Sequence, residues 1–490
     1  MKNNLILLVL ASLASNLFGQ TIADAVRYAN LQPGGSARFM GAGGAFGALG
    51  ADFGVLSVNP AGLAMYRTNE LVFTPALKFA QSETALEGAG NAQFSDDVSS
   101  FGFANAGLVF NTTPRYSKWT TFNFGLGLNR QQNFQQSIYY EGWGNGTLLN
   151  GWYSEADQVL NGGGNEEDLY PHGARLGVDA NAIYPQNGVW SYDFINNPQA
   201  DIRRVQSLLS SGGVQEMVFS FAGNYDERVM IGATVGVPFV NYQLEGTYEE
   251  SDPDQNVEYF DNLVFTEYLR TQGVGVNLKL GVVLRLTQSL RLGGAFHTPT
   301  LMGLTDNFSN TFSYDYTDNS GSNSKLVESP EGVFDYRLRT PWRAIASAAF
   351  LVQQYGFLSA DLEWVDYGAN RYNFTSDIAS TENEQLERAI NGEIQRNLQQ
   401  TMNVRLGAEA VINVFRLRAG LNLLGKPYEG QTGFNTAVTA GAGLRFESFY
   451  LDLGFRRNTG SAGVQTYPDA PVANADLRSS EWLMTVGFKF

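Results

Sequence analysis

Few residues in this chain are of types that do chemistry, and how they are spread is informative. There is no cysteine, and there are two histidines, His172 and His297. That removes thiolate chemistry and leaves little material for a histidine-built metal site. His297, in LGGAFHTPT, stands beside Thr298 and Thr300, and a histidine next to a hydroxyl is the start of a nucleophilic hydrolase site. No orienting acid accompanies it, so the reading is structural, with no catalytic residue and no enzyme. Asp252, Asp254 and Asp261 in SDPDQNVEYFD offer oxygens to Ca²⁺, but the glycine of an EF-hand loop is missing. They read as a solvated acidic loop, and neither a metal nor a cofactor is assigned. The most organised set is cationic. Arg405, Arg416, Arg418, Arg445 and Arg456 have Glu409, Asp452 and Glu481 for company, and Arg337, Arg339 and Arg343 have Asp361 and Glu363. Such arginines either clamp a ligand carboxylate through paired bonds or form an ion-pair network. Both readings stand at this point.

What positions these residues is a series of strands. In 481–490, Trp482, Met484, Val486, Phe488 and Phe490 alternate with Glu481, Leu483, Thr485, Gly487 and Lys489. Alternate residues of a strand face opposite ways, so one face is apolar and large and the other polar or small. The pattern recurs over 448–457, 434–446, 415–424, 401–413 and 265–286. Arginine, lysine and carboxylates keep to one face. On a lipid-facing surface an Arg or Lys would cost ~2–4 kcal/mol at mid-depth, which explains the partition. Fourteen such strands are expected, at about 70–80, 100–111, 119–135, 215–225, 228–248, 265–286, 289–312, 333–352, 355–374, 401–413, 415–424, 434–446, 448–457 and 481–490. The joints between them alternate short and long, as in a barrel with tight periplasmic turns and long outer loops. The fold class is therefore all-β: an antiparallel fourteen-stranded transmembrane barrel over 70–490.

The remaining chain fits around that wall. Residues 1–20 (Lys2, then the apolar run LILLVLASL, then Ala14, Ser15 and Gly19) read as a cleavable export signal. The run is too short to span a bilayer. Residues 21–69 hold a stretch dense in glycine, GAGGAFGALGADFG, ahead of Asn59-Pro60. They read as a compact lumenal plug, because glycine lets backbone fold tightly and approach other backbone. Of the long loops, 136–214 is rich in Gly, Asn, Tyr and Trp, and DIRRVQSLLSS at 201–211 is a candidate short helix. In 375–400, Leu386, Ile390 and Ile394 recur at helical spacing, so an amphipathic helix is expected over the outer mouth. The net charge of −16 argues against nucleic acid as a partner.

At Asn59-Pro60-Ala61-Gly62-Leu63-Ala64, with Asp52 just ahead and the glycine run before it, the chain resembles the FadL-type outer-membrane transporters of long-chain fatty acids and other hydrophobic compounds. The style of the segment is similar to that of members from Bacteroidetes-type bacteria. The resemblance implies a hatch carrying Gly41, Gly43, Gly44, Asp52, Asn59, Pro60, Ala61 and Gly62. It also implies an apolar site above the hatch and an exit, often sideways through a gap in the wall. It places the protein in the outer membrane of a Gram-negative bacterium, in contact with hydrophobic ligands and with outer-membrane lipid or lipopolysaccharide. Some relatives are subunits of secretion or envelope-assembly machines, so a structural role beside other envelope proteins is the alternative. Candidate ligand contacts, read from strand faces, are Phe101, Phe103, Tyr450, Leu483, Arg405, Arg416 and Arg418.

Overall fold

A computed structural model describes residues 7–9, 21–32, 34–374 and 381–490. The export signal expected over 1–20 lies, apart from 7–9, outside them. Fourteen antiparallel strands close into a barrel. They are β1 Glu70–Leu86, β2 Gln93–Thr112, β3 Trp119–Asn133 continued by Gln136–Asn145, β4 Asp201–Tyr225, β5 Val229–Ser251, β6 Phe260–Arg285, β7 Leu290–His297 with Leu301–Asp318, β8 Gly332–Arg339 with Arg343–Val352, β9 Gly356–Asp366 with Arg371–Asn373, β10 Gln400–Ile412, β11 Phe415–Gly425, β12 Phe434–Arg445, β13 Phe449–Gln465 and β14 Ala473–Lys489. The last strand returns to the first, from Glu70 opposite Lys489 to Leu86 opposite Ala473. That seam leaves neither terminal strand with a free edge in lipid, where an unpaired backbone group would be costly. Phe73, Phe124, Phe221, Leu280, Leu406, Leu453 and Trp482 are exposed on the outer face, while Lys279, Arg405, Arg418 and Asp452 are buried on the inner one.

Alternation fails at prolines. Pro75 of β1 breaks the ladder, and β2 inserts Ala104 as a bulge opposite it. One extra residue reverses every face beyond it. Phe101 and Phe103, expected in the lumen, therefore lie on the outside, with Phe101 79% exposed. Pro299 and Pro341 interrupt β7 and β8 at the same height, between His297 and Leu301 and between Arg339 and Arg343. Arg343 consequently faces inward and is buried, whereas Arg337 and Arg339 face outward and are exposed. The expected patch of Arg337, Arg339 and Arg343 is thus split between two sides of the wall.

Residues 201–211 are part of β4 and not a helix, paired with Gln136–Asn145 on one side and β5 on the other. Ile202, Arg204, Gln206 and Leu208 are buried in alternation, so pairing on both edges overrides a weak helical pattern. The amphipathic helix over 380–398 forms as Thr381–Asn397. Its Ile390 and Ile394 are buried in one cluster with Tyr336, Tyr372 and Phe374. A cap of loops, including the helix Leu149–Ala156 and a hairpin of Ile183–Gln186 with Val189–Tyr192, packs Trp152 and Phe194 against Phe260, Phe265, Phe312 and Tyr314 of the wall.

Candidate functional site

The N-terminal segment lies inside the barrel and divides into two parts. The lower part, the plug, runs from the short helix Ala37–Gly41 through two 3₁₀ turns, Phe53–Ser57 and Pro60–Met65. Short polar side chains fix each turn. Ser36 caps the helix at Phe39 N (3.0 Å) and donates to Asp52 Oδ2 at 2.6 Å. Asp52 Oδ1 accepts from Gly54 N at 3.0 Å. Asn59 Oδ1 accepts from Ala61 N at 3.2 Å, while its Nδ2 donates to Gly47 O (2.6 Å) and to Val282 O of β6 (3.2 Å). A single side chain thus ties two parts of the plug to the wall. Beside it, a His297 ring nitrogen meets Val58 O at 2.8 Å, which places that histidine at the plug–wall junction.

The fit is backbone against backbone. Gly43, Gly44 and Gly50 have φ near +68°, the left-handed region that glycine reaches without strain. The wall answers with glycines of its own. A Cβ on Gly281 would stand 1.9 Å from Asn59 Oδ1, and one on Gly293 2.4 Å from Gly47 O. Pro60 O and Ala61 N press on Gly232, Gly41 faces Gly441, and Gly62 abuts Gly50 within the plug. These wall glycines were visible in the sequence only as small residues on the polar strand faces.

The arginines are bound to carboxylates. Arg418 bridges Glu409 (2.6 Å) and Asp452 (2.7 Å), Arg445 joins Asp452 (2.8 Å), and the plug's Arg38 approaches Glu409 at 3.6 Å. Glu363 takes Arg343 at 2.9 Å and Arg405 at 3.0 Å. Asp361 accepts from Gly47 N at 3.1 Å. Breaking such a buried pair from one side costs about 3–5 kcal/mol, so Arg405 and Arg418 are engaged and not open to an incoming carboxylate. Arg416 bonds Asn413 O (2.6 Å) and Phe415 O (2.9 Å) at a periplasmic turn. Tyr450 donates to Glu70 Oε1 at 2.8 Å near the same end. Leu483 packs in the plug's own apolar cluster. None of these four polar groups, nor Leu483, meets in one ligand pocket. Asp252 serves its own turn, accepting from Val257 N (2.7 Å), and Asp261 of β6 accepts from Thr317 Oγ of the neighbouring β7 (2.7 Å).

Above the plug the lumen turns apolar and aromatic. The helix Ile22–Ala29, with a capping box between Thr21 and Asp24, fills a basin of Phe134, Tyr242, Met302, Tyr336 and Tyr372. Tyr28 and Tyr242 meet Phe134 edge-on, at 6.1 and 5.4 Å between centroids. Arg27 stacks 4.0 Å over Tyr242, and Tyr372 donates to Thr21 O at 2.9 Å. These aromatics were missed because they sit in the upper strands, beyond the segments where alternation is cleanest.

Beside the basin the ladder opens. β2 pairs with β3 only over Asn105–Thr112, against Phe122–Asn129. Among the described residues, 93–104 of β2 have no ladder partner on that side. The freed carbonyls of Arg130 and Gln131 on β3 accept instead from Gly34 N (2.7 Å) and Gln32 N (2.9 Å) of the lumenal segment. Lys78 Nζ reaches Asn133 O at 3.0 Å across the opening, and the inner face of Gly102 meets nothing within 4 Å. Outside the wall, Phe101, Phe455 and Trp482 surround a groove of about 610 Å³ floored by Ala440, Gly441, Ala442 and Gly454.

A closed barrel whose N-terminal segment is folded inside it defines a plugged transmembrane barrel by architecture. The structure is similar to that of the Pseudomonas putida toluene transporter TodX, with TM-score 0.52 and 15% identity over 94% of this chain and 99% of that one. It is also similar to a Pseudomonas aeruginosa FadL homologue, with TM-score 0.53 and 13% identity over 94% and 99%. The FadL-type resemblance thus holds over nearly the whole fold. No protein-family model matches the sequence, and no curated protein matches it significantly.

Proposed function

We propose that the protein is a passive outer-membrane channel for hydrophobic small molecules, long-chain fatty acids or similar lipophilic or aromatic compounds among them, and not an enzyme. The observation that carries this reading is the aromatic basin above the plug, lying beside a wall whose ladder is open. A hydrophobic solute gains about 25 cal/mol per Å² of surface withdrawn from water, and such a basin offers that gain inside the barrel. At present the helix Ile22–Ala29 occupies it, so ligand and helix compete for one space. Exit runs past Lys78, Gly102 and Asn133 to the groove at Phe101, and so into the bilayer. Gly41, Gly43, Gly44, Asp52, Asn59, Pro60, Ala61 and Gly62 then act as the hatch that keeps the periplasmic end shut. The fold shared with a toluene transporter supports the class of cargo.

The deciding experiment is uptake of labelled oleate and of labelled toluene by cells with and without the gene. Faster uptake of either supports the channel. Equal rates for both, with the barrel present and folded, would favour a structural subunit of an envelope complex.

A further inference from the structure

Three arginines stand on the membrane-facing side of the wall, where a strand residue is expected to be apolar. Arg337 and Arg339 of β8 and Arg371 of β9 line one cavity of about 640 Å³ with Leu301, Tyr372 and Asn391. Register holds the set together: Arg339 lies opposite both Leu301 and Arg371, and Arg337 opposite Gly303 and Asn373. Among the described residues, Arg337 and Arg339 make no hydrogen bond or ion pair. Arg371 bonds the nearby carbonyls of Gly368 (2.7 Å) and Asn370 (2.6 Å). The acids around them are engaged elsewhere. Glu387 accepts from Phe374 N (3.0 Å) and Asn373 Nδ2 (3.4 Å), and Asp335 accepts from Thr305 Oγ. Arg337 and Arg339 thus keep their donors free among the described residues, with Glu387 the acid that shares their cavity.

Its height says what faces it. Just below the arginines, Trp342 packs on Trp364 at 4.4 Å and on Phe296 at 5.6 Å. Tryptophans gather at the borders of the hydrocarbon layer. From the periplasmic turn after Val352, Arg339 lies 13 residues up the strand, and about 9–11 residues suffice to cross. The cost of an outward arginine, high at mid-depth, becomes small at the interface. Guanidinium groups match phosphate oxygens with paired bonds. Exposed Leu301, opposite Arg339, and exposed Phe296 on the same strand nearer the periplasmic turn suit acyl chains.

We infer that Arg337, Arg339 and Arg371 form a binding site for the phosphorylated saccharolipid headgroup of the outer leaflet, seated above the Trp342–Trp364 pair. The inference rests on the outer-membrane orientation used above, but not on transport, since the site lies outside the lumen.

The test is titration of the purified full-length barrel in micelles with diphosphoryl lipid A, read by native mass spectrometry and tryptophan fluorescence. One saturable lipid per barrel is expected. R337A/R339A should bind it about tenfold more weakly, as should the wild type the dephosphorylated lipid, while the uptake rates of the variant stay at the wild-type level. R337K/R339K keeps the charge and loses the paired geometry, so it should fall between the two. Should the alanine variant fail the heat-modifiable mobility of a folded barrel, the lysine variant carries the test. Equal affinity in the folded variants, equal binding of dephosphorylated lipid, or displacement by equimolar inorganic phosphate would overturn the inference. If uptake fails in every form while lipid binding holds, only the channel reading falls.

Discussion

Asn59 bonds Gly47 O, Val282 O and Ala61 N, and so ties two turns of the plug to each other and to β6. Each net hydrogen bond contributes about 0.5–1.5 kcal/mol, and stranded buried partners cost more. Asn59→Ala should therefore raise amide exchange across 47–62 by about tenfold or more and impair uptake, while the barrel keeps its mobility on unboiled gels. Loss of barrel mobility would make Asn59 a folding residue instead. The turn at Asn59 was legible, because an asparagine before a proline in a glycine-rich stretch marks a fixed turn. The side of the wall on which Phe101, Phe103, Arg337 and Arg339 lie was not. Each sits beyond a proline-linked irregularity, and a one-residue insertion is invisible to a period-two reading until the partner strand is known. Arg405 and Arg418 were legible as inward charges, but only their distances to Glu363, Glu409 and Asp452 show that each is already paired with a carboxylate of the wall.

At the scale of elements, β3 is the one whose behaviour matters most. It leaves β2 above Asn129 and gives its freed carbonyls to the lumenal segment. Ser100 Oγ and Asn133 Nδ2 face each other across the opening at 3.5 Å. The chain has no cysteine, so a single engineered pair, Ser100→Cys with Asn133→Cys, is clean. Oxidation should slow uptake severalfold and reduction should restore it; uptake indifferent to the crosslink would rule out this exit. The cap makes a separate prediction. Burial pushes the Asp193 carboxyl above the usual carboxylate range, helped by Glu258 and opposed by the hydroxyls of Tyr184 and Tyr314. A raised folded-state value means the folded cap binds a proton more readily than the unfolded chain. Its contribution is complete below the ordinary value of about 4 and is lost as pH rises through the folded-state value. Exchange protection of the hairpin Ile183–Tyr192 should accordingly be higher at acid pH than at neutral pH, and Asp193→Asn, which keeps one acceptor oxygen and does not titrate, should flatten the difference. The helix Thr381–Asn397 was readable from its own spacing, whereas 201–211 was misread because two neighbouring strands decide its conformation.

For the whole molecule, the wall was legible from alternation and loop lengths because both follow from one constraint, that every backbone polar group in lipid must find a partner. The lumen's contents were not, since packing of glycine on glycine depends on where distant strands meet. That division has a consequence for stability. Closure runs through β1 and β14 and uses no plug residue. Most buried charges are likewise paired wall to wall, as in Arg343–Glu363–Arg405 and Glu409–Arg418–Asp452–Arg445. What the plug adds is local: Arg38 to Glu409, Gly47 to Asp361, Ser57 to Glu216 and Asn59 to β6. Deleting residues 21–66 behind the same export signal should therefore leave a barrel that inserts and keeps its heat-modifiable mobility. Its unfolding temperature should fall, since Glu216 and Asp361 each lose a buried donor at about 1–3 kcal/mol. In planar bilayers the full chain should be closed to ions, and the deleted form should show steady conductance, because the glycine-lined groove that held the plug becomes open water. A deletion that fails to insert would show that the plug is part of the wall's folding core and not a separable stopper.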